Sequence, residues 1–143
     1  MATGPGFGTN VGWDFSFPVT SDWSSNQFTF VTYNGTTIAL AGAGALALGI
    51  AQDSPNGSLY SNVMSQVRTG GPSKIKAGGA FSAGAKLSSN GSGQAVAYTA
   101  ATVYTGTPYT VSGTQVLGLA MEPSDTSSGY ITSMLFRPSG LSA

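Results

Sequence analysis

From Gln27 onward, short runs of β-branched and aromatic residues alternate with clusters of glycine, asparagine and serine. That is the pattern of strands joined by tight turns. Gln27–Tyr33 (QFTFVTY) predicts a strand, Asn34-Gly35 a two-residue hairpin turn, and Thr36–Leu40 the returning strand. The stretch Gly42–Ala51 (GAGALALGIA) has the Ala and Leu content of a helix, but its glycines and short length favour a small-residue strand pair or barrel edge. In residues 59–68 (LYSNVMSQVR), Leu59, Val63 and Val67 recur every fourth position, which suits one face of a helix or of a strand. The surrounding pattern favours the strand. Further strands are predicted over Ser73–Lys76, Gln94–Tyr104, Thr114–Met121 and Tyr130–Phe136, with Asn56-Gly57 and Asn90-Gly91 as turns. The last strand sets Ile131 and Leu135 against Met134 and Phe136, so both of its faces are partly apolar, as in a strand covered on both sides.

Residues 1–26 read differently. Glycines at 4, 6, 8 and 12 and prolines at 5 and 18 oppose a regular element, yet the segment carries Phe7, Trp13, Phe15, Phe17 and Trp23. So many aromatic residues are too many for a solvated linker. The expectation is an irregular arm over 1–26, followed by one β-domain over 27–143. The arm either docks on a partner, with Trp13, Phe15, Phe17 and Trp23 as the binding residues, or folds back on its own core. An internal echo adds to the picture. Leu48-Gly-Ile-Ala-Gln-Asp53 recurs as Leu117-Gly-Leu-Ala-Met-Glu122, each copy followed by a turn and an apolar strand. It suggests two related β-arms, against chance recurrence in a chain rich in Gly and Ala.

Composition sharpens the fold class. Only 7% of the 143 residues are charged and 21 are glycine, against ~25% charged in an ordinary domain. Helical proteins draw on Glu, Lys, Arg and Leu, so the fold expected is all-β, a small β-sandwich or β-barrel with an irregular extended N-terminal arm. Five basic and five acidic residues leave no net charge, so the field that nonspecific nucleic-acid binding needs is missing. There is no Cys and no His, which removes thiolate chemistry, the commonest general base and the commonest metal ligand. The N-terminus has neither the basic nor the apolar region of a signal peptide. The apolar run Ile38–Ala51 is broken by glycines and is shorter than the ~20 residues that span a bilayer. No membrane partner, no nucleic-acid partner and no cofactor are expected, and synthesis is expected in the cytoplasm.

The most enzyme-like feature is the echoed pair Asp53 and Glu122. If the two arms lay side by side, two carboxylates would face each other as in glycosidases. Both stand where a strand enters a Ser/Pro/Gly turn, the usual setting of a solvated acid, and the reading is of a non-enzymatic protein. Gly42, Gly44 and Gly49 do not match a dinucleotide fingerprint. Arg68, Lys74, Lys76 and Lys86 suit a mildly basic docking face better than a DNA-binding stripe. The three Asn-Gly-Ser/Thr sites read as turns.

From Leu48 to Phe136 the order of motifs resembles the small capsid cement, or decoration, proteins of tailed bacteriophages. Those often show an A-G-G-A-I-x-A-G stretch, a Gly-x-Ala-Val strand and a V-L-G-x-A-x-E strand near the end. They stand here as Ala77–Gly84, Gly93–Val96 and Val116–Glu122. Where such proteins often continue with Asp, this chain has Ala85. The resemblance implies a structural virion protein on the capsid exterior, with the major capsid protein as partner and a homotrimeric state. An alternative class is a carbohydrate-binding or host-adhesion module on a virion or fibre, stacking sugars on Trp13, Trp23, Tyr104 or Tyr109.

Overall fold

The computed structural model describes residues 13–99, 114–125 and 129–141. It is all-β, with no helix among the described residues. Among these residues ten strands follow in order: β1 (Asp14–Pro18), β2 (Phe30–Tyr33), β3 (Ile38–Leu40), β4 (Gly49–Ala51), β5 (Met64–Arg68), β6 (Gly71–Ala77), β7 (Lys86–Ser89), β8 (Ala95–Ala97), β9 (Gln115–Ala120) and β10 (Tyr130–Leu141). The first five form one sheet in the order β1-β5-β4-β2-β3, and the last five form a closed barrel, β10-β6-β8-β7-β9.

The two halves repeat one design. Unrolled at the β6–β8 seam, the barrel reads β6-β10-β9-β7-β8, which is the order of the sheet with each strand replaced by the one five places later. The registers agree residue by residue. Ile50 on β4 lies between Phe30 and Arg68, as Leu119 on β9 lies between Lys86 and Leu135. That superposes Leu48–Ala51 on Leu117–Ala120, so the sequence echo marks equivalent central strands. Connecting segments match as well. The Phe28 amide donates to the Ala51 carbonyl at 2.8 Å, and the Gly84 amide to the Ala120 carbonyl at 2.7 Å. Phe28 and Gly84 are both at positive φ, 62° and 83°. The Gln52 amide donates to Gln66 and the Met121 amide to Ser133, both at 2.9 Å or less. Both Asn-Gly hairpins are pinned the same way: the Asn34 side-chain oxygen accepts the amides of Thr36 and Thr37, and that of Asn90 accepts those of Ser92 and Gln94.

Equivalent positions also build equivalent cores. In the first half Phe17, Val19, Val31, Ile38, Ala51 and Val67 pack together with Trp23. Their barrel counterparts Ile75, Ala77, Leu87, Ala95, Ala120 and Met134 line the barrel cluster with Phe81. Trp23 and Phe81 are counterparts too, since their amides donate to the Pro55 and Ser124 carbonyls in matching loops. The opposite face of the first sheet, Phe30 and Ile50 with Ala41 and Ala47, belongs to the barrel cluster. There the Phe30 and Phe136 ring centroids are 6.1 Å apart. β2 and β4 are thus apolar on both faces because one face serves each core.

Several expectations need adjusting. Residues 14–18 of the expected irregular arm are a regular strand, paired antiparallel with β5 from Asp14↔Arg68 to Pro18↔Met64. Pro18 ends that strand, at a sheet edge, where the missing N–H costs little. Of 42–51 only 49–51 is strand, and of 59–68 only 64–68, the rest being turn, bend or irregular chain. β7 was not anticipated: Lys86-Leu-Ser-Ser89 carries one large apolar side chain, yet it is central to the barrel.

Candidate functional site

The halves differ in how they close. In the barrel β6 and β8 close the ring, with Ala77 opposite Ala95 in parallel and the Gly78 amide donating to the Ala95 carbonyl at 2.7 Å. Their counterparts β1 and β3 are, among the described residues, the two free edges of the first sheet. Among the described residues no backbone hydrogen bond joins them. Side chains meet across the seam instead. The Phe17 and Tyr33 ring centroids lie 5.1 Å apart with planes tilted by 56°.

Bulk explains why this seam is different. The barrel positions equivalent to Phe15, Phe17 and Tyr33 are Ser73, Ile75 and Ser89, all buried. Two interior serines suit a small closed ring. Rings in their places need more interior volume than a small, close-packed ring offers, and they come to the surface. Trp13 is 58% exposed, Phe15 52% and Tyr33 41%. Because side chains alternate along a strand, Trp13, Phe15 and Phe17 share the core-side face of β1 and form one row that Tyr33 continues. On the opposite face β1 is tied to β5 by Arg68, whose Nε and Nη2 donate to the two carboxylate oxygens of Asp14 at 2.7 and 2.9 Å. This bidentate contact raises the Arg68 pKa above its ordinary value, chiefly through the hydrogen bond to Asp14.

Of the four aromatic residues singled out in the sequence, the structure brings Trp13, Phe15 and Phe17 together and separates Trp23. Trp23 is 3% exposed, its indole N–H donating to the Ser21 hydroxyl at 3.1 Å. It sits in the core of the first half and presents no surface to a partner. The turn that carries it is held by Asp22, whose carboxylate accepts the Ser24 amide at 2.9 Å. That bond holds the Asp22 carboxyl below the usual aspartate range. Tyr33 was missed, because in sequence it reads only as the end of a strand before Asn34-Gly35. Tyr104 and Tyr109 lie outside the described residues.

The side-by-side arrangement of the echoed arms does not occur. β4 is flanked by β2 and β5, and β9 by β7 and β10, in different halves of the molecule. The Asp53 carboxylate accepts the Ser65 hydroxyl at 2.6 Å and the Gln66 amide at 3.2 Å, so it ties its loop to β5. Glu122 is exposed. Among the described residues, no group of three or more Asp or Glu is placed to hold a metal ion. Of the basic residues, Lys76 donates to the Ser25 carbonyl at 2.7 Å and Lys74 lies 5.8 Å from the Phe28 ring centroid. Both thus lie against the loop before β2.

No protein-family model matches the chain, and no curated protein matches it. Among solved structures, it is similar to the N base of the head fiber protein gp8.5 of bacteriophage phi29. The TM-score is 0.61 and the identity 18%, over 93% of this chain and 100% of that one. A likeness at this identity is a likeness of fold.

Proposed function

We propose that the protein is a structural component of a tailed-phage virion. It binds the outer surface of the capsid and stabilises the lattice, acting as a homotrimer with the major capsid protein as its partner. The observation that carries this reading is the fold shared, over nearly the whole chain, with the base of a phage head fiber. The order of motifs shared with capsid cement proteins supports it. So does the surface: a row of exposed rings on a domain with 7% charged residues suits apolar contact with a partner. Trp13 and Phe15 are the anchors, with Phe17 and Tyr33 as their support. A trimer engaging several capsid subunits gains avidity, because each contact after the first is intramolecular.

Co-sedimentation tests the reading. The protein is expected to pellet with assembled capsids and to stay in solution with unassembled capsid protein. Failure to pellet with capsids at micromolar concentration overturns it. A second reading, a sugar-binding adhesion module, draws on the exposed ring of Trp13. Binding on a glycan array that Trp13→Ala abolishes, with no capsid binding, would favour that module.

A further inference from the structure

We infer that the free edge of β1 is a receptor for one extended strand donated by the capsid partner, a strand that completes in the first half the ring that β8 completes in the second. The inference rests on the capsid-binding reading for the partner's identity, and on the internal repeat for its shape. In the barrel the edge of β6 is covered by β8. Among the described residues, the counterpart of β8 in the first half makes no backbone bond to the counterpart of β6, and β1 has β5 as its one strand neighbour.

The free groups can be named. The Thr69 amide donates to the Trp13 carbonyl, and the Val19 amide to the Val63 carbonyl, so odd-numbered residues of this strand point their backbone at β5. By alternation, Asp14 and Ser16 point their N–H and C=O groups outward. Pro18 has no N–H, so the edge offers two donors, a short site. β1 and β3 run in the same direction, since an even number of antiparallel steps, through β5, β4 and β2, separates them. An incoming strand antiparallel to β1 therefore runs antiparallel to β3 as well.

Size and charge select the occupant. At ~200 Å² per aromatic side chain, exposures of 58% at Trp13, 52% at Phe15 and 41% at Tyr33 leave roughly 300 Å² of ring surface. A standard interface needs ~800 Å² from each partner, so the row is too small to hold a second globular copy by itself. It matches the alternate side chains of one short strand. The row itself, Trp13, Phe15, Phe17 and Tyr33, carries no charge, and the Asp14–Arg68 pair lies on the other face of β1. The occupant is therefore an extended segment whose every second side chain, those that meet the row, is apolar and uncharged.

The probe is a capped ten-residue peptide of alternating threonine and valine, read by hydrogen exchange of the full-length protein. Exchange at the Asp14 and Ser16 amides is expected to slow at least tenfold at saturating peptide. A peptide with lysine in place of each valine should leave it unchanged. Ser16→Pro removes an outward N–H at an edge position and should weaken peptide binding at least tenfold. If that variant is unfolded, the exchange result on the natural chain decides alone. Absence of protection at millimolar peptide, or protection confined to other strands, overturns the inference. Protection of the same amides that grows with protein concentration in the absence of peptide overturns it too, by making a second copy the occupant. Exchange on assembled capsids separates the two readings: capsid binding without β1 protection sinks the strand receptor alone, whereas no capsid binding sinks the capsid reading and leaves the peptide result to judge the edge.

Discussion

Replacing each of the two tryptophans by alanine, one at a time, separates anchoring from folding. Trp23 is 3% exposed and closes the core of the first half against Val19, Val31 and Val67. Removing a buried tryptophan costs ~3–5 kcal/mol, from lost transfer energy and from the cavity left behind. At about 4 °C per kcal/mol for a chain of this size, Tm should fall by roughly 12–20 °C. Trp13 is 58% exposed. Less than half of its surface leaves water in the free protein, so the truncation should cost about 1–2 kcal/mol of stability. Its remaining surface is available to a partner, and a truncated aromatic anchor commonly costs ~2 kcal/mol of binding, or at least tenfold in affinity. The assays are urea denaturation and capsid co-sedimentation on the same two variants. Fluorescence supplies an internal check, since each variant keeps one tryptophan: the Trp13 that remains in Trp23→Ala should be quenched readily by acrylamide, and the Trp23 that remains in Trp13→Ala should be protected. Equal losses of stability in the two variants would refute the placement of these residues. Full capsid affinity in a folded Trp13→Ala would refute its role as an anchor.

Other perturbations follow from the repeat and the seam. A Cβ at Gly49 would clash with the Arg68 carbonyl oxygen, and one at Gly118 with that of Leu135. Alanine at either should cost ~2 kcal/mol or more by overpacking, whereas Gly79→Ala, with nothing within 4 Å, should change the urea midpoint little. A double-mutant cycle on Phe17 and Tyr33 should give a coupling of ~0.5–1.5 kcal/mol, the range for aromatic pairs; a coupling near zero would mean that the rings do not bridge the seam. Asp14→Asn should cost at most ~1 kcal/mol, because the ion pair with Arg68 is largely at the surface and screened, and the loss should shrink as salt is added to the denaturation buffer.

What the sequence made legible was what local chemistry enforces. Asn34-Gly35 and Asn90-Gly91 fix their hairpins through the asparagine side chains themselves, so those turns can be read directly. Leu48–Asp53 and Leu117–Glu122 showed as an echo, because both strands carry a glycine where the next strand's backbone passes too close for a Cβ. Elements decided by distant partners were harder. Lys86–Ser89 is a strand because β8 and β9 flank it, and its serines are buried where the closed ring leaves little room, which no local propensity signals. Asp14–Pro18 did carry a signal, since Phe15 and Phe17 alternate with polar neighbours, but the glycines and prolines around it masked the strand. The aromatic row was half legible: the load of rings was visible, whereas the burial of Trp23 and the arrival of Tyr33 depend on how the sheet folds over.

The repeat gives the aromatic row a physical origin. Two five-stranded units with one strand order can each be closed by joining the first strand to the third, and the barrel does so with small residues at the seam, Ala77 opposite Ala95 and Ser89 within. In the first unit the same positions hold Val19, Ile38 and Tyr33, and Phe15 stands where the barrel has Ser73. Each of these replacements adds volume at the joint, and a close-packed interior has no slack to absorb it. The ring therefore stays open and its rings face outward. Stability does not suffer in proportion, because Phe30 and Ile50 on the opposite face are completely buried against the barrel. The closed unit thereby holds the open one in shape while the seam stays accessible. An exposed edge beside an apolar row is ordinarily an aggregation hazard. On this chain it is short, ended by Pro18 and flanked by a charged pair at Asp14 and Arg68. Those are the features expected where an edge is kept open for one partner and guarded against others.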